Sequence, residues 1–431
     1  MTNTLKTQDL IGLGFMTFAL FLGAGNIIFP PMVGHLSGHQ MWYSALGFLL
    51  TGVGLPLLTI VALARVGGGL GTLTAPIGKS AGILLGVLVY LTIGPLFATP
   101  RTATVSFEVG FAPFIGSGSG ARAIYTIVYF GSVILLALFP GKLIDTVGKI
   151  ITPVLIVALV VLAAAAVFLP AGVIGAPTGL YVDAPLSQGF VQGYQTMDAL
   201  GALVFGIVIV NAIRSRGIEN PHFMTRYAII AGIIAAVGLA LVYVSLIVLG
   251  ASSGSLAPDA TTGAPILTAF VHHVFGPMGS VLLAIVITLA CLTTAVGLVA
   301  ACGDYFSQLL PLSYRTVVIV VGLFSMAAAN QGLEQLIAVS VPVLSAIYPV
   351  AIALVALSLA SALWRRPQRV FIPTLAVAAI FGILDGMTAA GFSGLVPNVV
   401  ASLPAADLGV GWLVPVLVTI VVSAAYDRLK G

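Results

Sequence analysis

Charge is what this chain most conspicuously lacks: Asp, Glu, Lys and Arg together make up 6% of its 431 residues. A soluble domain carries about 25%, and the chain is 60% hydrophobic with a mean hydropathy of +1.19, so an ordinary soluble fold is excluded and a polytopic membrane protein is expected. Cysteine is almost as scarce. The two present, Cys291 and Cys302, lie on one predicted helix about 16 Å apart along its axis, too far to bridge, and they say nothing of redox compartment. The net charge of +4 does not signal a nucleic-acid partner, because the basic residues sit in short loops between apolar runs, where they act as orientation signals of membrane helices.

Apolar runs of about 20 residues, separated by Pro, Gly and charge clusters, predict an all-α protein with about twelve transmembrane helices. They cover 10–34, 41–64, 80–106, 122–139, 148–170, 189–211, 226–250, 278–303, 315–330, 335–362, 370–390 and 408–426. Placing the N-terminus inside puts Arg65, Lys79, Lys142, Lys149, Arg214, Arg216, Arg226, Arg315, Arg365, Arg366 and Arg369 in cytoplasmic loops, with Lys6, Arg428 and Lys430 at cytoplasmic termini. Only Arg101 and Arg122 fall on the outer side, so the positive-inside bias is consistent along the chain. The first run is longer than a signal peptide's apolar region and ends in Phe29-Pro30-Pro31 without a small-residue cleavage site, so it should stay attached. The longest outer loop, 251–277, is expected to carry a short re-entrant or surface helix ending near His272-His273.

The first run is interrupted at mid-depth by Gly23-Ala24-Gly25-Asn26. In hydrocarbon an unpaired backbone N–H or C=O costs several kcal/mol, so such a break survives only where protein, water or a ligand answers those groups. The half-helix that begins near Asn26 would point a positive dipole end at its contents, which suits a carboxylate; a purely structural alternative is a Gly face for close helix packing. A second interruption, Thr196-Met197-Asp198-Ala199-Leu200-Gly201-Ala202, places a carboxylate inside a span with no basic neighbour in sequence. An intramembrane acid marks an ion path, a proton relay or a substrate ammonium, unless it is a protonated acid bonded to a neighbouring helix end. Unwound carbonyls around Ala199 to Gly201 would complement a cationic amine. One break for a carboxylate and one for an amine describes an amino acid zwitterion.

The breaks also suggest a repeat. Gly14-Phe15-Met16-Thr17 is echoed by Gly193-Tyr194-Gln195-Thr196, and Leu22-Gly23-Ala24 by Leu200-Gly201-Ala202 one residue closer. The two copies are offset by five spans, an odd number, which would invert one half relative to the other. The eighth run contains Ala290-Cys291-Leu292-Thr293-Thr294, whose hydroxyls and the Ala290 carbonyl, with carbonyls freed by the first break, would supply neutral oxygens for a small hard cation; the alternative is Thr bonding back to its own helix. In the third run, Gly94-Pro95-Leu96-Phe97-Ala98-Thr99-Pro100-Arg101-Thr102 predicts a kinked, polar half-helix beside an aqueous vestibule. Arg101 and Glu108 share a face there and would steer substrate, form a gate or simply hold helices together.

Three stretches carry a resemblance over the whole chain: Gly12-Leu-Gly-Phe-Met-Thr-Phe-Ala-Leu-Phe-Leu-Gly-Ala-Gly-Asn-Ile-Ile-Phe-Pro-Pro31, Gly94-Pro-Leu-Phe-Ala-Thr-Pro-Arg-Thr102 and Gln192-Gly-Tyr-Gln-Thr-Met-Asp-Ala-Leu200, extended by Glu219-Asn-Pro-His222. The chain resembles the BrnQ-type branched-chain amino acid:cation symporters, the LIVCS family. That resemblance implies a LeuT-like fold of two inverted five-helix repeats, 10–170 and 189–362, followed by two further helices over 370–427. It also implies leucine, isoleucine and valine as substrates, Na⁺ or H⁺ as coupling cation with no other cofactor, and a multi-pass place in the bacterial inner membrane. By similarity to LeuT-fold transporters, the carbonyls of Ala19, Leu22 and Ala290 with Thr293 and Thr294 would hold the cation. Ala24, Gly25 and Asn26, beside Gly23, would receive the substrate carboxylate. Asp198, with Thr196, Ala199 and Gly201 around it, has no equivalent acid in the LeuT substrate site. A passive facilitator or channel would keep a continuous polar stripe, which isolated mid-span breaks do not make, and an embedded enzyme would need a His–Ser or paired-acid cluster, whereas only Asp198 is clearly intramembrane and Asp385 lies near the outer end of its run.

Overall fold

The computed structural model describes residues 5–139, 142–218 and 220–430; Glu219, part of the Glu219-Asn-Pro-His222 motif above, lies outside the described residues. Every predicted run falls on a helix or on a helix with a break. The first is α1 (Thr7–Phe21) and α2 (Gly25–Ser37), the second α3 (Met41–Leu49) and α4 (Leu55–Val66). The third is α5 (Lys79–Leu91) and α6 (Ala98–Gly110), followed by α7 (Ser119–Leu138) and α8 (Lys142–Phe168). The sixth is α9 (Pro185–Tyr194) and α10 (Asp198–Arg214), and then come α11 (Pro221–Ser252), α12 (Gly263–Leu309), α13 (Tyr314–Ala329), α14 (Leu333–Leu359), α15 (Gln368–Ala389) and α16 (Leu413–Leu429). Among the described residues, seven helices are long and apolar enough to cross a membrane, or eight when α9 and α10 count as one bent span; α1 and α13 are apolar but shorter.

Local chemistry explains where these helices start and bend. Asn220 caps α11 by accepting from the His222 N–H at 2.9 Å, with Pro221 in the first turn where its missing N–H costs nothing. Ser313 caps α13 in the same way, accepting from the Thr316 N–H at 3.2 Å. The Gly94-Pro95 pair does kink the third run: Gly94 sits at φ −84°, ψ −113° within a π turn between α5 and α6. In α12, Gly276 at φ 65° followed by Pro277 separates an initial segment from the longer remainder, so the helix expected in loop 251–277 exists and ends just past His272-His273.

Small residues let α2 press against α11 backbone to backbone. A Cβ at Gly34 would collide with the Ile247 carbonyl, and one at Gly250 with the Pro31 carbonyl. Cys291 and Cys302 are buried and unpaired. Ion pairing contributes little to the interior: among the described residues the recorded pair is Arg369 with Asp427, at 3.8 Å. Asp427 also accepts from the Arg365 N–H at 2.7 Å and the Arg366 N–H at 3.1 Å, pinning α16 to the segment before α15.

Candidate functional site

The first break is built by its own sequence. Leu22 turns to extended geometry at φ −73°, ψ 91°, and Leu22 to Ala24 lie between α1 and α2, with Ala24 already at helical dihedrals as the N-cap of α2. The Gly23 N–H, which in a continuous helix would reach the Ala19 carbonyl, instead donates to Asn26 Oδ1 at 3.0 Å. Asn26 therefore stabilises the gap from inside while opening α2 with Gly25, and the unwound stretch lies one to two residues earlier than Gly23–Asn26.

The second break differs more from expectation. It occupies Gln195 to Met197, and the two flanking helices meet at a bend of 43°. Its hinge is Met197, in the left-handed region at φ 62°, ψ 11°, a conformation that costs a non-glycine residue about 1–2 kcal/mol. Ala199 to Gly201, expected to be unwound, form the first turn of α10, with the Gly201 N–H on the Met197 carbonyl at 2.8 Å. Their carbonyls are thus helical, and the free backbone lies before Asp198 rather than after it. Thr196 Oγ1 donates to the Gly193 carbonyl at 2.9 Å and accepts from the Asp198 N–H at 3.4 Å, bracing the turn.

The two breaks touch. A Cβ on Gly25 would lie 3.2 Å from the Gln195 carbonyl oxygen and 3.2 Å from Thr196 Cα, so only a residue without a side chain lets the backbones approach this closely. Between them sits a buried polar junction. Asn26 Nδ2 donates to Asp198 Oδ2 at 2.7 Å and to the Tyr243 hydroxyl of α11, and Tyr243 in turn donates to the same Asp198 oxygen at 2.5 Å. Within this triangle the Tyr243 hydroxyl can both accept and donate, and the Asn26 carbonyl oxygen takes the Gly23 N–H. Tyr243 was not among the expected site residues, since a tyrosine in a helix of even apolarity has no period that sets it apart.

A small cavity of about 40 Å³ opens at this junction. Gly23, Ala24, Gly25, Asn26, Thr196, Asp198, Gly201, Thr294 and Arg101 line it, whereas Ala199, Ala19, Leu22, Ala290, Thr293 and Glu108 do not. The apolar share of the wall, Leu20, Phe21, Ile93, Ala98, Phe205 and Leu298, comes from four helices and was not singled out in sequence. Thr293 and Thr294 both donate back to the Ala290 carbonyl, at 2.8 and 3.1 Å, which leaves their oxygen lone pairs outward. Thr294 also faces the first break, its Cγ2 lying 3.4 Å from where a Gly23 Cβ would be. Among the described residues no group of three or more His, Cys, Asp or Glu is placed to hold a metal ion.

Arg101 and Glu108 diverge despite sharing a helix. Arg101, 2% exposed, donates from Nη1 to the Gln195 carbonyl at 2.6 Å and from Nη2 to Ser340 Oγ of α14 at 2.7 Å, with its guanidinium 5.0 Å from the Phe29 ring centroid. Glu108 is half-buried beside the Leu333 backbone and Arg122, away from the cavity.

Comparison with known proteins adds the lineage to this geometry. A sequence profile described as branched-chain amino acid transport protein matches residues 6–430. The chain belongs to that family. Within the branched-chain amino acid transport family it is similar to the branched-chain amino acid transport system 2 carrier protein of Pseudomonas aeruginosa, 62% identical over 99% of this chain and 98% of the relative. It is 55% identical to the branched-chain amino acid permease BrnQ of Escherichia coli over 100% of this chain and 98% of the relative, and 47% identical to the permease BraB of Bacillus subtilis over 98% and 96%. Among solved structures it resembles MhsT, crystallised in complex with L-phenylalanine, with a TM-score of 0.61 at 17% identity over 90% of this chain and 100% of that one. It also resembles the inward-facing form of Mhp1, with a TM-score of 0.62 at 14% identity over 98% and 91%; at such identities the likeness concerns fold alone. The branched-chain amino acid transport family is one of carriers and permeases rather than enzymes, with all-helical, LeuT-like structural neighbours.

Proposed function

We propose that this protein is a secondary active symporter that imports leucine, isoleucine and valine across the bacterial inner membrane by alternating access, driven by a Na⁺ or H⁺ gradient. The observation that carries the reading is the meeting of two broken helices at one cavity, whose lining divides by chemistry into backbone breaks with Asp198 and a set of aliphatic and aromatic side chains. That division matches an aliphatic zwitterion. The carboxylate would sit at the N–H end of α2, at Ala24, Gly25 and Asn26, where the helix dipole favours an anion. Asp198, whose Oδ2 is engaged by Asn26 and Tyr243, would turn Oδ1 to the ammonium beside Thr196, and Leu20, Ile93, Phe205 and Leu298 would enclose the branched side chain.

For the cation, the carbonyls of Ala19, Leu22 and Ala290 with the hydroxyls of Thr293 and Thr294 form a set of neutral oxygens suited to Na⁺; Asp198 would be the carrier of a coupled proton. Either ion would stabilise the first break in its substrate-competent shape, so that substrate and cation bias the same equilibrium. In this reading the chain makes twelve spans with both termini cytoplasmic, arranged as two inverted repeats over 10–170 and 189–362 followed by two helices. The relatives named as branched-chain amino acid carriers and permeases support the substrate class.

Radiolabelled leucine uptake into proteoliposomes tests the proposal, with Na⁺ and H⁺ gradients imposed separately and valine and alanine as competitors. Accumulation above the equilibrium level under one of the gradients is expected, inhibited by valine more than by alanine. Uptake that only equilibrates leucine under both gradients would make the protein a passive facilitator and overturn the symport reading.

A further inference from the structure

Arg101 stands out as a buried charge without a counter-charge among the described residues. The guanidinium is 2% exposed, yet its hydrogen bonds go to neutral oxygens, the Gln195 carbonyl and the Ser340 hydroxyl, and Nε has no partner. An arginine stays charged in protein interiors, and a buried charge is strongly unfavourable unless paired. Asp198 is the converse case on the same cavity: an acid satisfied by an amide and a hydroxyl, with no cationic side chain bonded to it. One cavity therefore has an acid and a base in its wall, each held by neutral groups and not bonded to one another.

Position ties Arg101 to the anion-favouring end of α2. Its guanidinium rests on the Phe29 ring, one turn beyond Gly25, and it bonds the same Gln195 carbonyl that would lie 3.2 Å from a Gly25 Cβ. The Asn26 side chain, by contrast, is fully committed, its amide to Asp198 and Tyr243 and its oxygen to Gly23. We propose that Arg101 is the charged partner of the substrate's carboxylate, acting beside the α2 N-terminus, so that a zwitterion whose ammonium meets Asp198 supplies the counter-charge that each residue lacks. This rests on the amino acid transport reading and deepens it: the site would select α-amino acids over amines, alcohols and amides of the same shape. A planar fork of donors fits a carboxylate, and such charge-assisted bonds are the strong ones.

The test is leucine uptake by the full-length protein in proteoliposomes, with leucinamide as a competitor that keeps the amine and side chain but lacks the carboxylate. In Arg101→Gln, half-saturation by leucine should rise about 10- to 100-fold, the range for losing a charged hydrogen bond, while half-inhibition by leucinamide stays at the wild-type value; Arg101→Lys should fall between. Ser340→Ala removes a bond that a helix latch would need but not the carboxylate partner, so its half-saturation should remain within about twofold of wild type. A similar loss in Ser340→Ala and Arg101→Gln, a lowered maximal rate with unchanged half-saturation, or equal weakening of leucine and leucinamide would assign Arg101 to gating and overturn the proposal. If leucinamide competes with neither protein, the contrast between Arg101→Gln and Ser340→Ala decides, and if Arg101→Gln does not fold, Arg101→Lys replaces it. Absence of leucine uptake by the wild-type protein would instead refute the transport reading, separately from the role of Arg101.

Discussion

Gly25→Ala is the smallest change that bears on the contact between the two broken helices. The added methyl would stand 3.2 Å from the Gln195 carbonyl oxygen, 3.2 Å from Thr196 Cα and 3.3 Å from the Thr196 carbonyl oxygen, all backbone atoms, against an ordinary contact distance of 3.4 Å or more. No side chain can swing aside, and the opposing segment is itself fixed by the Arg101 bond to Gln195 and the Thr196 bond to Gly193. The breaks must separate by a few tenths of an ångström, which in packed protein costs about 1–3 kcal/mol. Because Gly25 and Thr196 both line the cavity, the displacement falls on the proposed substrate site, and half-saturation for leucine should rise by roughly 5- to 160-fold. Gly12→Ala is the matched control: nothing lies within 4 Å of its Cβ position, and in mid-helix alanine is favoured over glycine by about 0.5–1 kcal/mol. Uptake kinetics and thermal unfolding of both variants, in the same lipid, form the assay. A well-folded Gly25→Ala protein with wild-type half-saturation would refute the argument, and an equal loss in Gly12→Ala would trace it to general sensitivity of this span.

Tyr243→Phe should weaken leucine binding by about 1–3 kcal/mol, since it removes a donor to Asp198 and an acceptor for Asn26 together; combined with Asn26→Ala in a double-mutant cycle it should show a coupling energy of about 0.5–3 kcal/mol, and strict additivity would contradict the shared junction. Thr294→Ala should raise the cation concentration for half-maximal uptake on the order of tenfold, if one neutral oxygen is worth about 1.4 kcal/mol, and an untouched cation dependence would remove Thr294 from the proposed site. Far from the cavity, Asp427→Asn loses charge-assisted bonds from the Arg365 and Arg366 backbone and the Arg369 ion pair; it should lower stability by about 1.5–3 kcal/mol, read as a drop in unfolding temperature with leucine half-saturation unchanged.

Both interruptions were legible in the sequence for different reasons. Gly23-Ala24-Gly25-Asn26 announces itself by composition, and the structure moves it by no more than two residues because Asn26 supplies the bond that ends α1. At the second, Asp198 drew attention as an intramembrane acid, but Gly201 misplaced the unwound stretch. The hinge is Met197, and no residue propensity predicts a left-handed methionine; its N–H donates to the Tyr194 carbonyl and its carbonyl accepts from the Gly201 N–H, while Gln195 and Thr196 just before it pack on Gly25 and Gln195 is bonded by Arg101.

Taken alone, the sequence determined that this chain belongs in a membrane, where its helices lie, and which two of them have polar interruptions, because hydrocarbon penalises charge and unpaired backbone at every position independently of what lies nearby. Only the tertiary structure decided that Tyr243 closes the Asn26–Asp198 junction, that Arg101 lines the cavity while Glu108 on the same helix does not, and that apolar side chains from separate helices line the same cavity as the breaks. The junction alone joins residues 217 positions apart, a pairing set by how helices pack rather than by the local pattern of any one of them.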